Sequence, residues 1–365
     1  MESKHRDKTL DYLRGLAIIQ VVFVHILYWL GIFSGGYLAI AKSFLLYEMP
    51  IFFFVTGAVN GLGKQQKYKT FCLKRIKGLL IPYYIYSVVC ILISIVYYLV
   101  HNELSIKLIV KLLLSWIVPL DHQIMPLPYF TWAIWFIPVY IISIILFPVI
   151  KTAVLKFGGE IIITLIIVFA CIEIVCRLIN KSTNFEGYST YLYTVLDIIQ
   201  KTSFYLIFMG LGVLYPRIKN RSRKSMIIAT TMLLVSIILL LSCKIIFGNT
   251  LNMQSNKFPP NHMFLFYSFI VLSLLYIVKP LINRVYLWMI RFIPILDKWI
   301  LIFSQNSIYI FLYQTFSFWI ISIVLKYIGF HNDYLVFVIA LITVYPMIGL
   351  NIKLINRIQA IRKRI

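Results

Sequence analysis

Acidic residues are scarce in this chain, which has 12 Asp and Glu against 35 Lys and Arg among its 365 residues. Charged residues of both signs make up only 13% of the sequence, whereas hydrophobic residues make up 61%. A soluble domain is roughly 25% charged and 45–50% apolar. One water-soluble core cannot hide this excess of apolar side chains. The composition therefore excludes a soluble globular protein and predicts an all-α polytopic membrane protein.

Several signatures of common chemistry are also missing. The five cysteines lack the paired spacing of a zinc site and give no disulfide framework. The sequence contains no nucleophile elbow and no Walker loop. We therefore expect no metal cofactor. In a soluble protein the net charge of +23 would suggest nucleic acid, but basic residues also collect in cytoplasmic loops of membrane proteins, so we expect no nucleic-acid partner.

Ten apolar runs are long enough to cross a bilayer, which needs roughly 20 residues per helix. They lie near residues 10–31, 43–62, 79–100, 131–150, 160–179, 194–214, 225–247, 263–281, 300–325 and 334–353. The shorter amphipathic run 104–119 is interpreted as a helix lying in the membrane interface. If this run crossed the membrane as an eleventh span, the predicted orientation of every later span would be reversed.

The distribution of basic residues tests this arrangement. If the N-terminus is inside, the six inner segments carry 25 Lys and Arg and the five outer segments carry 8. Because positive residues favour the cytoplasmic side, we predict that both termini are cytoplasmic and that residues 1–365 form one domain in the cytoplasmic membrane. The Lys and Arg at the membrane edge also favour contact with anionic membrane lipids.

One histidine and one arginine lie within the first apolar run. His25 is deep in the predicted span, and Arg14 precedes it by 11 residues. At 3.6 residues per turn they share a helix face, roughly 16 Å apart along the axis. An ionisable residue at membrane depth is a functional hypothesis by default, and imidazole suits a general base near neutral pH. The alternatives are a hydrogen-bonded structural histidine and an arginine that extends to the interface.

A basic cluster precedes the third span and includes Lys74, Arg75 and Lys77. One interpretation is that it determines topology and attracts anionic lipids. The other is a phosphate site, in which Arg75 binds with two hydrogen bonds and the lysines act as point charges. Charge alone leaves both open.

Further candidates lie near the predicted outer ends of the spans. Glu48 is level with His25 and either orients the imidazole or is an interface charge. The tryptophans of residues 132–138 form either an aromatic belt or a wall that stacks on a sugar. Residues 257–261 contain paired prolines, which either stiffen a loop end or help to bind an acceptor. The substrate-binding candidates are Trp132, Trp135, Lys257, Pro259, Pro260 and Asn261.

Taken in order, several motifs resemble acyltransferase family 3, the integral-membrane O-acyltransferases of cell-surface glycans, and most closely its fucose 4-O-acetylase-like branch. The matching segments are Asp11–Ile19 with His25, Met49–Phe54 with Gly57, Phe71–Tyr83, Trp135–Pro138, Lys257–Pro260 and Ser307–Tyr313. The family often has a Tyr-Leu-x-His pattern late in the chain, but here Tyr313 is followed by Gln314.

The resemblance implies that an acyl group, usually acetyl, moves from acyl-CoA to a hydroxyl of an exported or lipid-linked glycan. It implies that His25 is the catalytic base or acyl carrier and that Arg14 and Arg75 bind the donor. A transporter or glycan exporter remains the alternative, because kinked spans with a buried His and Arg also suit proton-coupled transport.

Overall fold

The computed structural model describes residues 8–63, 66–120, 124–182, 189–329 and 332–362, all of them helical or in connections, without a β-strand. A single 3₁₀ turn lies at Pro128–Phe130. The helices are α1 Lys8–Trp29, α2 Gly36–Ser43, α3 Glu48–Leu62, α4 Tyr68–Val100, α5 Ile106–Ser115, α6 Phe136–Phe157, α7 Gly159–Ser182, α8 Ser189–Val213, α9 Tyr215–Ile218, α10 Arg223–Phe247, α11 Met253–Lys257, α12 His262–Phe292, α13 Ile295–Gln305, α14 Ser307–Ile328 and α15 Asp333–Arg362.

Ten helical segments of the described chain are long and apolar enough to cross a membrane, which confirms the predicted number. The ten-residue helix α5 is too short to cross, because at 1.5 Å per residue it covers only about half of the roughly 30 Å hydrocarbon core. Ser105 caps its N-terminus by accepting a hydrogen bond from the Leu108 amide, at 3.2 Å. The protein is therefore a multi-pass membrane protein.

Some helices extend well beyond the apolar runs that predicted them. The third span was expected at residues 79–100, but α4 begins at Tyr68 and includes the basic cluster. A hydropathy pattern ends where charged residues begin. The helix can continue past that point, because backbone hydrogen bonding does not require apolar side chains. Lysine and arginine are good helix formers, so the basic cluster lies on the first turns of a membrane helix.

The chain forms two compact units. Unit 1 comprises residues 1–20, 35–65 and 145–305, and unit 2 comprises residues 21–34, 66–144 and 306–365. Helices α1 and α6 each contribute residues to both units. Arg14 therefore belongs to unit 1 and His25 to unit 2, although both lie on the continuous helix α1.

Unit 1 is built on the close packing of α3 against α8. A Cβ added to Gly57 would lie 2.0 Å from the carbonyl oxygen of Met209, and one added to Gly212 would lie 2.1 Å from that of Phe54. Only glycine permits this approach of the two backbones. Small residues have this role at membrane helix interfaces generally, so the short Gly57–Gly61 spacing is a packing motif.

Unit 2 packs α14 against α15 and α4. The Tyr86 hydroxyl on α4 is fully buried, donates to the Phe130 carbonyl at 2.8 Å and lies 2.9 Å from the Thr315 hydroxyl. A second tyrosine of α4, Tyr83, donates to the Trp116 carbonyl at 3.0 Å. These bonds connect α4 to α14 and to the segment after α5.

Candidate active site

His25 lies in an aromatic cluster of unit 2. Its ring stacks on Trp29, one helical turn further along α1, with centroids 3.9 Å apart and planes 12° from parallel. Phe311 on α14 lies on another side, 6.4 Å from the imidazole centroid. The imidazole is partly exposed. The face of an indole ring attracts a cation, so the stacked Trp29 ring would stabilise a protonated imidazole at this position.

The predicted tryptophan wall adjoins this cluster. Trp132 packs edge-to-face on Trp29, with ring centroids 5.7 Å apart, and its own side chain is exposed. Trp135 contacts Phe136, which in turn packs on Phe311 at 4.9 Å. The structure thus brings His25, Trp132 and Trp135 into one group of rings. The exposed face of Trp132 is suited to stacking on a sugar ring.

Helix α14 presents an uncommon polar residue on the face that borders the cluster. Phe311, Gln314 and Phe318 are spaced three, four and seven residues apart and share one helix face; Phe318 packs on Trp29 with centroids 5.0 Å apart. The fully buried Gln314 donates through Nε2 to the Phe311 carbonyl at 2.9 Å. Its Oε1 has no hydrogen-bond partner among the described residues. A buried acceptor of this kind favours a ligand hydroxyl or amide.

The predicted donor-binding residues lie on two helices. Lys74, Arg75 and Lys77 are exposed on the first turns of α4, with the Arg75 guanidinium 5.9 Å from the centroid of the Phe71 ring. Arg14 is partly buried on α1. The α4 residues are accessible to a soluble polyanion, as a donor site requires.

Glu48 has a partner that the sequence did not indicate. Its carboxylate pairs with Lys257, and the two residues are only 2% and 3% exposed. The other carboxylate oxygen, Oε2, has no hydrogen-bond partner among the described residues. Both residues belong to unit 1, whereas His25 belongs to unit 2. The structure therefore brings Glu48 together with Lys257, and its proposed role in orienting His25 stays a prediction.

The loop after Lys257 is held by internal contacts of unit 1. Gln200 donates to the Pro260 carbonyl at 2.8 Å, and Pro259 follows a cis peptide bond. Asn261 caps α12 and donates to the Asn256 side chain at 2.8 Å. A second ion pair, between the buried Lys201 and the partly buried Asp197 at 2.5 Å, lies beside Phe258. The polar groups predicted to bind substrate are thus engaged within the protein, and the substrate-binding role stays a prediction.

A comparison with known protein families decides the class. The family model described as an acyltransferase domain matches residues 7–349, nearly the whole chain. The chain belongs to the acyltransferase 3 family. Curated proteins and solved structures give no significant match. With its ten apolar helices, this acyltransferase is a membrane enzyme, which favours catalysis over the exporter alternative.

The family assignment makes the aromatic cluster around His25 a candidate site for acyl transfer. His25 is within the matched region and is the residue to which the sequence resemblance assigns acyl transfer. The match identifies the family and not a branch within it, so the fucose 4-O-acetylase-like branch stays a prediction. In the described part of the acyltransferase, no three His, Cys, Asp or Glu side chains lie together as metal ligands would.

Proposed function

We propose that this membrane O-acyltransferase moves an acyl group, most simply acetyl, from acyl-CoA to a hydroxyl of a cell-surface glycan or its lipid-linked precursor. The site would lie in the cytoplasmic membrane. The observation that carries the proposal is the imidazole of His25, stacked on Trp29 within a membrane helix and next to an exposed tryptophan. Such an arrangement offers a base, a stabiliser of its protonated form and a surface for a sugar ring.

The donor would be held through its phosphates. Arg75 can bind a phosphate with two parallel hydrogen bonds, and Lys74 and Lys77 supply point charges from the same exposed turns of α4. Arg14 shares a face of α1 with His25 and is the donor-binding residue nearest to it in sequence. A thioester arm that extends along this face would approach the imidazole.

In the transfer step His25 accepts the proton of the acceptor hydroxyl while that oxygen attacks the thioester carbonyl. The new C–O bond forms, the C–S bond breaks, and the CoA thiolate takes the proton back from the imidazolium. Alternatively, the imidazole attacks the thioester carbonyl and expels the CoA thiolate as the C–S bond breaks. The acceptor hydroxyl then attacks the acyl-imidazole, the C–N bond breaks to release the imidazole, and the hydroxyl proton passes to the thiolate. In the direct route, Trp29 attracts the transient imidazolium.

The acceptor would be positioned by rings and by one amide. Trp132 and Trp135 would stack on the sugar, and the Gln314 Oε1 would accept a hydrogen bond from one of its hydroxyls. This assignment is supported by the exposure of Trp132 and by the buried Gln314 oxygen that lacks a partner among the described residues. The polar rim of a glycan and the apolar faces of its rings match these two kinds of contact.

The decisive experiment compares two histidine variants. Membranes that contain His25→Ala are assayed for transfer of labelled acetyl from acetyl-CoA to glycan, with His101→Ala as the matched control. His101 lies exposed at the end of α4 in the same unit. General base catalysis contributes about 10²–10⁴-fold, so His25→Ala should lose activity by that factor and His101→Ala should keep it. Equal activity of the two variants would remove His25 from the mechanism.

A further inference from the structure

Unit 1 contains a cavity of about 680 Å³ that the proposed acyl transfer does not use. Its walls come from α1, α3, α7, α8, α9, α10 and α12, and all of its lining residues belong to this unit. Most of the lining is aliphatic or aromatic, including Phe54, Leu211, Met232 and Leu272. Its interior is therefore suited to hydrocarbon.

Charge in this cavity is confined to one end. Arg217 and Lys224 lie in and just after the connection between α8 and α10, and Lys279 lies in the second half of α12. None of the described residues that line the cavity is acidic. The lining extends along α10 from Lys224 to Met232, roughly 12 Å at 1.5 Å per residue. A basic end and an apolar interior match an amphiphile with an anionic head group.

The basic end is held in place by the connection that carries it. Tyr276 donates to the Ile218 carbonyl at 2.6 Å and contacts the Ser225 hydroxyl at 2.7 Å. Lys279 lies over the ring of Tyr215, 5.9 Å from its centroid. Further in, the fully buried Ser273 hydroxyl has no hydrogen-bond partner among the described residues. These contacts fix the walls of the cavity within unit 1, and the Ser273 hydroxyl in one wall is available to hydrogen-bond a ligand.

The cavity walls also include residues exposed on the outside of the unit. Ile163 on α7 is 60% exposed and Ile228 on α10 is 56% exposed, and both line the cavity. In a membrane, exposed aliphatic side chains at these positions contact lipid tails. A ligand can therefore enter sideways from the bilayer, which favours a lipid over a soluble anion.

We propose that this cavity binds one anionic phospholipid. Its acyl chains lie along the apolar wall of α10 and α12, and its phosphate is bound by Arg217, Lys224 and Lys279. The positive-inside count places these residues on the cytoplasmic side, where anionic lipids attract basic residues. No donor-binding residue of α4 is among the lining residues of the cavity, so this proposal survives if the proposed acyl transfer is wrong.

The test titrates the full-length protein in a neutral detergent with phosphatidylglycerol or phosphatidylcholine of identical acyl chains. Apparent affinity is followed by thermal stabilisation, because a ligand that binds only the folded state raises the melting temperature. Arg217→Gln/Lys224→Gln is compared with Lys219→Gln/Arg223→Gln, which removes two exposed charges from the same connection outside the cavity lining. With about 1 kcal/mol per charge, the first pair should bind phosphatidylglycerol roughly 30-fold more weakly. The second pair should bind it like the unmodified protein.

A second pair of variants tests the apolar part. Ala229→Leu places two further methyl groups and a methine in the cavity, whereas Thr230→Leu places the same leucine side chain on the exposed face of α10. Only Ala229→Leu should weaken lipid binding. Equal stabilisation by the two lipids, or equal losses in the two charge pairs, would overturn the proposal. Stabilisation by glycerol phosphate as strong as that by the lipid would also overturn it, because the cavity would then bind a soluble phosphate. Displacement of the lipid by acyl-CoA at equal concentration would overturn it as well, because the cavity would then bind the acyl donor.

Discussion

The two regions that the sequence singled out as functional differ in how their ionisable side chains are held. In unit 1, the buried Lys257 pairs with the buried Glu48 and the buried Lys201 pairs with the partly buried Asp197, so each of these charges has a counter-charge within the protein. In unit 2, the imidazole of His25 lies among aromatic rings, and the buried Gln314 Oε1 on the adjoining face of α14 has no partner among the described residues. The Glu48–Lys257 pair connects α3 to α11, whereas Lys201 and Asp197 lie one turn apart on α8. The buried Gln314 oxygen is available to a ligand. This comparison favours unit 2 as the catalytic region and the Glu48–Lys257 pair as a structural contact of unit 1.

The largest effect is expected from breaking the buried ion pair. Glu48→Gln leaves the Lys257 ammonium buried without its counter-charge, and removal of one partner of such a pair costs about 3–5 kcal/mol of stability. The double variant Glu48→Gln/Lys257→Met removes both charges and should recover much of that loss, because effects of contacting residues are not additive. Reversible unfolding in detergent measures both quantities.

Glu103→Gln, which removes an exposed carboxylate between α4 and α5, is the control for loss of one negative charge. It should change stability by less than about 0.5 kcal/mol. A Glu48→Gln protein that stays as stable as this control but loses acyl transfer would reverse the comparison, because Glu48 would then act in catalysis.

Substitution of Gln314 is expected to lower activity without lowering stability, unlike substitution of Glu48. Gln314→Leu has a similar volume and removes an oxygen that has no partner among the described residues. Stability should stay equal or rise, because a buried unsatisfied polar group costs about 1–3 kcal/mol. Activity should fall about tenfold through the acceptor KM, since a lost neutral hydrogen bond is worth roughly 1 kcal/mol or slightly more.

The neighbouring Ser317 provides a matched comparison for Gln314. Its hydroxyl is also fully buried on α14 and has no partner among the described residues. Ser317→Ala should leave the acceptor KM unchanged. If both variants raise the acceptor KM equally, the effect belongs to the packing of α14 and not to the Gln314 amide.

The architecture was largely predictable because the bilayer imposes it. A run of about 20 apolar residues must be a helix in hydrocarbon, so ten runs gave ten spans and placed Arg14 and His25 on one continuous helix. The run around Lys107 and Lys111 was too short and too amphipathic to cross, and it forms the short helix α5. Helix ends were less predictable, since α4 begins eleven residues before its apolar run.

The partners of individual charges were not predictable. Glu48 and Lys257 are 209 positions apart, and no periodicity relates residues on separate spans. The sequence offered Glu48 a role beside His25 and gave Lys257 a role in acceptor binding. It could not indicate that each would engage the other. Trp132 and Trp135 of the aromatic cluster were predictable, because they stand out in an apolar segment. Trp29 lies one helical turn after His25, so helix spacing alone is sufficient to predict its stacking on the imidazole.

The smallest predicted effect concerns a charge that belongs to neither buried region. Arg75 is exposed on α4, and an exposed charge contributes at most about 1 kcal/mol to an ionic contact. If it binds the donor phosphates, Arg75→Gln should raise the KM for acyl-CoA roughly fivefold and leave kcat nearly unchanged, because the same contact forms in the ground and transition states. Lys69→Gln, an exposed charge one and a half turns earlier on the same helix, is the control. A fall in kcat without a change in donor KM would place Arg75 in the chemical step, and equal KM effects at both positions would reduce the basic cluster to a general attraction for anions.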